Sequence, residues 1–465
     1  MLVPGHALPI LTAAEMRAAE AAAMADGVSD LVLMERAVAA AVTAIESFAP
    51  SHAVLVLCGP GNNGGDGYGI AAELRACGRD VTVAALGEPA AGAAAVMAAR
   101  WGDAVLLLAA APARPVVVDA LFGTGLTRDL RDDVQAVLDR LRGTARAVIA
   151  VDIASGLHAD TGATLGRPLA ADLTVTFGAA KRGHLLGEGA ALTGRLVVAD
   201  IGVACVSGNS LVTPPRPLPL PADTHKYRRG SVAIIAGALS GAARLTALAA
   251  LRAGAGLVTL IGPDAAVPAD AIMQRDDAAG IALLADTRTR AVAIGPGLAA
   301  DQRGRDWLAR VLAGTIPVVI DAGALALLGE GPQDLFATST ASLVLTPHDG
   351  EFARLFSAIS ADRIGAAQAA AIASGAVVLL KGPQTIIAAP DGRAAVNSHA
   401  SPWLATAGAG DTLTGIIAAL LAQGLAPFDA ACIGAWLHGG CGVRGGPGLI
   451  ADDIPALLPA VLAAL

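Results

Sequence analysis

Short apolar runs alternate along this chain with longer Ala-rich segments of helical period. Val54–Cys58, Val81–Leu86, Val116–Ala120 and Ala147–Val151 are of strand length and show no in–out alternation. Such runs suit strands covered on both faces, as in parallel sheets under helices. Shorter runs near Val175 and Val197 complete the set. Ahead of them, Thr12 and Glu15 form a capping box for a helix running toward Gly27, and a second helix is predicted from Ser29 or Asp30 to just before Pro50. The alternation stops between Cys205 and Lys226, where Pro214, Pro215, Pro217, Pro219 and Pro221 favour an extended linker. It then resumes, with strands predicted at 232–236, 257–261, 291–294, 318–321, 343–346 and 377–380. No internal repeat relates the halves. The expected organisation is two different α/β domains, residues 1–213 and 222–465.

Each half has a chemical centre. In the first, the strand Val54–Cys58 runs into six glycines, Gly59, Gly61, Gly64, Gly65, Gly67 and Gly69, with a helix expected from Ile70. Strand, glycine turn and helix bring backbone N–H groups to a phosphate. Gly59, Gly61 and Gly64 satisfy the spacing of a dinucleotide fingerprint, but Asn62, Asn63 and Asp66 crowd a loop where bare backbone would suffice. Two further strands end in an aspartate before a small-residue turn, Asp119 and Asp152. Ligands of parallel sheets sit beyond the C-terminal strand ends, so these should converge with the Asn63 loop. In the second half, Gly408-Ala409-Gly410-Asp411 opens the apolar helix Leu413–Leu421. Asp411 reads either as a helix-terminal cap or as a base beside an anion hole, and Lys381 to Thr385 upstream favour the base.

Composition narrows the class. At 465 residues, more than one core is expected; aromatics are only 3%, so Val, Leu, Ile and Ala must build it. A net charge of −8 argues against a nucleic-acid partner. The apolar segments are too short or too interrupted for a membrane span, residues 1–10 lack a secretory pattern, and the five cysteines show no zinc or disulfide spacing. A cytoplasmic protein with reduced thiols is expected.

Taken together, these motifs resemble those of the bifunctional NAD(P)H-hydrate repair enzymes. The resemblance rests on Gly61 to Gly67, Asp119 to Gly125 and Val151 to Gly156 in the first half. In the second it rests on His225-Lys226, Arg252 to Val258, Gly295-Pro296-Gly297, Thr346 to Glu351 and Gly408 to Asp411. It implies an N-terminal Rossmann-like epimerase domain and a C-terminal ribokinase-like dehydratase domain. The first would interconvert the R and S forms of NADHX or NADPHX, hydrated at the nicotinamide C6. The second would use ADP or ATP with Mg2+ to phosphorylate the S-form hydroxyl and eliminate phosphate.

By position, the resemblance makes Asn63, Asp119 and Ser155 potassium ligands. It makes Asn62, Asn63, Gly64, Gly65, Asp66, Gly123, Thr124, Gly125, Leu126, Thr127, Arg128, Asp129 and Asp152 substrate contacts, with Asp152 catalytic. In the second domain Ala242, Gly297, His348 and Asp411 contact the hydrate, Asp411 as catalytic base. Lys381, Gly382, Pro383, Gln384, Thr385 and Gly410 contact the nucleotide. A homo-oligomer is expected. The chain departs from the family at Ala154 and Asp349, where proline is usual. A vitamin-kinase reading would leave a stable phosphorylated product, and a dehydrogenase reading fits the crowded Asn63 loop worst.

Overall fold

The computed structural model describes every residue except 51, 90, 263–266, 268, 330–335, 337, 338 and 357. The chain forms two compact units, Pro9–Ser207 and a second composed of Met1–Leu8 with Gly208–Leu465. The division differs from the expected one in two ways. The proline-rich segment lies inside the second unit, where Arg216–Pro217 pairs antiparallel with Leu2–Val3. The boundary falls earlier, because Asn209–Leu211 already adds a strand to the second sheet.

In the first unit the strands are β1 Val54–Cys58, β2 Val81–Ala85, β3 Val105–Leu107, β4 Val116–Ala120, β5 Ala147–Val151, β6 Leu173–Phe177 and β7 Arg195–Ala199. They form a parallel sheet ordered β7-β6-β5-β4-β1-β2-β3. Chain direction across the sheet reverses between β1 and β4, the switch point of a doubly wound sheet. Val54, Val56 and Cys58 face one core with Val38 and Ala41 of the helix Asp30–Phe48, whereas Leu55 and Leu57 face another with Val134 and Leu138 of Asp132–Leu141. Helices thus cover both faces. The capping box is present, with Thr12 capping the helix Ala13–Ala25.

One expectation fails instructively. The helix after β1 starts at Asn62, not Ile70, so four of the glycines lie inside its first turns. A Cβ at Gly64 would come within 1.8 Å of the Gly59 carbonyl oxygen, and one at Gly67 within 2.7 Å of Ala120 Cβ. At Gly65 and Gly69 it would meet Ala94 and Val38. These glycines let the helix press onto the sheet and its neighbours, overriding their poor helix propensity.

The second unit has strands β8 Asn209–Leu211, β9 Ser231–Ile235, β10 Leu257–Ile261, β11 Ile272–Arg275, β12 Ala291–Ile294, β13 Val318–Ile320, β14 Leu343–Leu345, β15 Val377–Leu380, β16 Thr385–Ala388 and β17 Ala394–Asn397. They are ordered β11-β10-β9-β12-β13-β14-β15-β16-β17-β8, with β15, β16 and β17 joined antiparallel. Val232, Ile234 and Leu260 pack beneath the helices Ser240–Arg252, Ala409–Ala422 and Pro427–Gly445. On the opposite face, Ile261 and Trp307 both close on Gly280, where a Cβ would lie 2.2 Å from Ile261 Cγ2.

Candidate functional site

Two sites form, each at the C-terminal strand ends of its own sheet. In the first, Asp119 at the end of β4 is 1% exposed. Its carboxylate accepts from Ser155 N at 2.9 Å, Ser155 Oγ at 2.6 Å and Leu121 N at 3.3 Å. Among the described residues no lysine or arginine pairs with it, and burial raises its pKa against these hydrogen bonds. Ser155 Oγ also accepts from Phe122 N at 2.9 Å. Asn63 lies against Gly123, and its Nδ2 is buried with no partner. The structure therefore gathers Asn63, Asp119, Ser155 and the start of the 123–129 loop, an oxygen-rich cluster short of positive charge. Of that loop, Gly125, Thr127, Arg128 and Asp129 are exposed, as is Asn62.

Asp152 follows β5 with φ +66°, one of two non-glycine positive φ values among the described residues. Strained backbone of this kind persists where the surroundings fix it. Here they do. Asp152 Oδ1 accepts from Lys181 Nζ and Thr176 Oγ1, each at 2.8 Å, and Lys181 Nζ also donates to Thr176 Oγ1 at 2.8 Å and Phe177 O at 3.0 Å. His184 Nδ1 accepts from Lys181 N at 3.1 Å, so its Nε2 carries the proton and donates to Asp152 O at 2.8 Å. Burial, and then Lys181, lower the His184 pKa to about 4, keeping the ring neutral. Burial alone would raise the Asp152 pKa, but the Lys181 charge and hydrogen bonds bring it below the usual carboxylate value. Asp66 behaves oppositely: burial, then the charges of Asp152 and Glu20, hold it well above that value. Neighbouring carboxyl groups pushed apart in this way separate a proton acceptor from a proton donor.

Lys181, Thr176, His184 and Glu20 were not singled out in the sequence. Lys181 lies on the two-residue strand Ala180–Lys181, paired with Leu11, and is 1% exposed. Followed directly by Arg182, it carries no local signal of burial. Gly64 and Gly65, by contrast, face the Gly59 backbone and Ala94 as packing positions.

In the second unit, Gly408 (φ +89°) starts the helix Ala409–Ala422 and places Asp411 in its first turn. A Cβ at Gly410 would lie 3.5 Å from Lys381 Nζ and 3.7 Å from Asp321 Oδ2. Lys381 Nζ donates to Asp321 Oδ1 at 2.8 Å and lies 3.8 Å from Glu351 Oε2, while Thr414 Oγ1 donates to Asp321 Oδ2 at 2.8 Å. Burial and then the Asp321 charge raise the Asp411 pKa to about 6, against a lowering pull from Lys381. Ala242 and Gly297 meet through Leu239, whose N donates to Gly297 O at 3.1 Å and whose O accepts from Ala242 N at 3.2 Å. Thr246 Oγ1 ties this group to the helix, 2.9 Å from Ala242 O and 3.0 Å from Asp411 O.

His348 caps the helix Asp349–Leu355, its Nδ1 accepting from Gly350 N and Glu351 N, and its side chain is 57% exposed. Asp349, where the family favours proline, forms a two-pronged pair with Arg363 at 3.0 and 2.8 Å. Asp321 was missed, although it directly follows β13 as Asp152 follows β5; the following Ala322 is the other non-glycine positive φ, at +44°. Lys381, Gly382, Pro383, Thr385 and Gly410 line a single cavity of about 560 Å³, within the usual range for small-molecule sites; Gln384 is not in its lining.

Residues 30–183 match the family model described as the YjeF-related protein N-terminus, and residues 232–445 that of NAD(P)H-hydrate dehydratase. The chain is similar to the bifunctional NAD(P)H-hydrate repair enzyme of Moorella thermoacetica, at 37% identity over 97% of this chain and 96% of the relative. It is 36% identical to that of Escherichia coli over 83% of this chain and 79% of the relative. Among solved structures, the ADP/ATP-dependent NAD(P)H-hydrate dehydratase of Bacillus subtilis, co-crystallized with ATP/Mg2+, is 32% identical, covering 53% of this chain and 93% of that one with a TM-score of 0.47. A ribokinase-like superfamily protein of Enterococcus faecalis is 25% identical, covering 56% and 97% with a TM-score of 0.49. With both family models matched in order and such relatives aligned across nearly its whole length, the chain belongs to the family of bifunctional NAD(P)H-hydrate repair enzymes.

Proposed function

We propose that the chain repairs hydrated NAD(P)H, with epimerisation in Pro9–Ser207 and nucleotide-dependent dehydration in the unit built on Gly208–Leu465. The observation that carries the first activity is the Asp152–Asp66 pair, in which Lys181 pulls the Asp152 pKa down while burial and neighbouring carboxylates push that of Asp66 up. The C6 hydroxyl of the hydrate sits on a carbon bonded to the ring nitrogen. Removing its proton lets the C6–N1 bond break, and closure on the opposite face inverts the centre. Asp152, held ionised by Lys181, takes that proton, and Asp66, with its pKa raised by burial, is the group placed to give one to the nitrogen.

Asn63, Asp119 and Ser155 fit a potassium ion, because a buried carboxylate without a cationic partner and oxygen-bearing neighbours suit a hard cation. Potassium there would supply the positive charge that this cluster lacks.

In the second unit Asp411 takes the proton of the S-hydrate hydroxyl as its oxygen attacks the terminal phosphorus of the nucleotide. The shortened nucleotide departs with the electron pair of the broken P–O bond. The new phosphate ester is then eliminated from C6 as a C5 proton is lost, leaving NAD(P)H and phosphate. The N–H groups at Gly408–Gly410 and the Lys381 ammonium face the phosphates, with Mg2+ arriving on ADP or ATP. Ala242, Gly297 and His348 are assigned to the hydrate.

Among the described residues no helix is long and apolar enough to cross a membrane, and all five cysteines are free, which supports a cytoplasmic setting. The test is direct. Purified protein given an R/S hydrate mixture with ADP or ATP should convert both forms to NAD(P)H with release of phosphate. A stable phosphorylated product would mean a kinase instead.

A further inference from the structure

Pro347 to Asp349 carry His348, assigned to the hydrate, and Lys381 to Thr385 carry contacts assigned to the nucleotide. The two stretches are joined twice. The first tie is backbone, with Lys381 N donating to Pro347 O at 2.8 Å. The second is Arg363, the first residue of the helix Arg363–Ser374. Its Nη1 and Nη2 donate to the two carboxylate oxygens of Asp349 at 3.0 and 2.8 Å. A Cβ at Gly382 would lie 2.9 Å from Arg363 Nη2, so the guanidinium that Asp349 grips also lies directly against the nucleotide loop.

This arrangement has the marks of a clamp. A planar guanidinium bonded through two nitrogens to one carboxylate is fixed in orientation as well as in distance. Both halves stand on helix starts. Asp349 lies in the first turn of Asp349–Leu355, where the helix dipole favours its charge. Arg363 follows Asp362, whose Oδ1 caps the helix by accepting from Gly365 N at 2.9 Å. Gly382 lines the cavity of about 560 Å³ and Arg363 does not, so Arg363 acts on a bound nucleotide through the loop. Proline, the usual residue at 349 in the family, has no side-chain acceptor. The clamp therefore belongs to this chain and not to the shared chemistry.

We propose that Arg363 is a positioning residue for nucleotide binding: gripped by Asp349, it holds Gly382, and through it the Lys381–Pro383 segment, in register with His348. This rests on the nucleotide site assigned above and adds what sets the shape of its loop. A clamp and a bare charge make opposite forecasts. Through charge alone, loss of the Arg363 cation would weaken an anionic nucleotide and loss of the Asp349 anion would tighten it. A clamp fails in the same direction whichever half is removed, because Arg363 released from Asp349 is no longer held against Gly382.

The experiment measures binding of ATP with Mg2+ to the full chain by calorimetry, for the unaltered protein, Arg363→Met, Asp349→Ala and the double variant. Each single variant should weaken binding by about fivefold, the scale of one well-formed, partly exposed ion pair. The double variant should lose about the same, not the roughly 25-fold product of two independent effects. A merely structural defect would lower the fraction of molecules that bind and leave the affinity of the rest unchanged. Tighter binding by Asp349→Ala beside weaker binding by Arg363→Met overturns the proposal in favour of charge alone. Unchanged affinity in both single variants, or losses that multiply in the double one, also overturns it. Because binding is read without the hydrate, ATP binding with no NAD(P)H formation would sink the repair reading and leave this one standing. Failure of the unaltered protein to bind ATP would sink both.

Discussion

Asp152 and Asp411 each stand near the C-terminal strand ends of a parallel sheet, and their surroundings drive them in opposite directions. Asp152 has a fully buried lysine bonded to it, which overrides burial and keeps it charged. Asp411 has a carboxylate neighbour, Asp321, and the nearby lysine is engaged by that neighbour instead. The lesson is that one partner decides the sign. A dedicated cation makes a buried aspartate an ionised group over the whole physiological range. A cation shared with a second carboxylate leaves it titrating near neutrality.

The hardest test of the contrast is Lys181→Met. It strips the buried Asp152 carboxylate of its ion-pair partner, a loss that typically costs about 3–5 kcal/mol. Epimerisation should fall by about a hundredfold or more. Dehydration of pure S-hydrate by the same protein should persist. Near-native epimerisation would show that Asp152 needs no fixed charge.

Asp411→Asn is the counterpart. It keeps the size and capping ability of the side chain but removes the base, so dehydration should drop by roughly a hundredfold, with epimerisation intact. If S-hydrate is repaired at a near-native rate, Asp411 is only a helix-terminal residue, and His348 becomes the next to examine.

A smaller effect is expected at the cation cluster. Asp119→Ala should slow epimerisation by at least about tenfold, the scale seen when even an outer partner of a metal site is lost. The unaltered protein should respond to added KCl and the variant should not, while dehydration stays unchanged in both. Loss of both activities would point to unfolding.

Acidity separates the sites without mutation. With Asp411 titrating at about 6, dehydration should fall about tenfold for each pH unit below that point. Epimerisation should stay level there, since the Asp152 pKa is depressed. Asp321→Asn should move the dehydratase limb to lower pH, because it removes a charge that raises the Asp411 pKa. An unmoved limb would mean that another group titrates.

The smallest change is in stability. A carboxyl group whose pKa is raised on folding penalises the native state above the folded value and not below the unfolded one. Asp411→Asn should therefore match or exceed the unaltered protein in Tm at pH 7, with the gain shrinking from pH 6 toward pH 4. A growing gain at low pH would reverse the assigned sign.

By itself the sequence determined what local chemistry controls. Apolar runs located strands such as Val54–Cys58 and Val377–Leu380, though not Val105–Leu107, Asn209–Leu211 or Ile272–Arg275; Thr12 and Glu15 marked a helix start, and strand ends pointed to Asp119 and Asp152. Gly408 to Asp411 announced a helix N-terminus that the structure places one turn from where its apolar run begins. The family resemblance was legible for the same reason, since its motifs are contiguous. Tertiary structure alone decided the rest. The glycines from Gly64 to Gly69 read as a loop because glycine breaks an isolated helix, yet contacts with Gly59, Ala94, Ala120 and Val38 leave no room for any Cβ. The prolines near 214–221 read as a linker, but they lie within the second unit, where Arg216–Pro217 pairs with Leu2–Val3. Lys181 carries no signal that it will be buried against a residue 29 positions away, nor does Arg363 show that Asp349 will hold it. Periodicity and capping are fixed by neighbours along the chain. The charge state of a buried group is fixed by whichever distant group the fold sets against it.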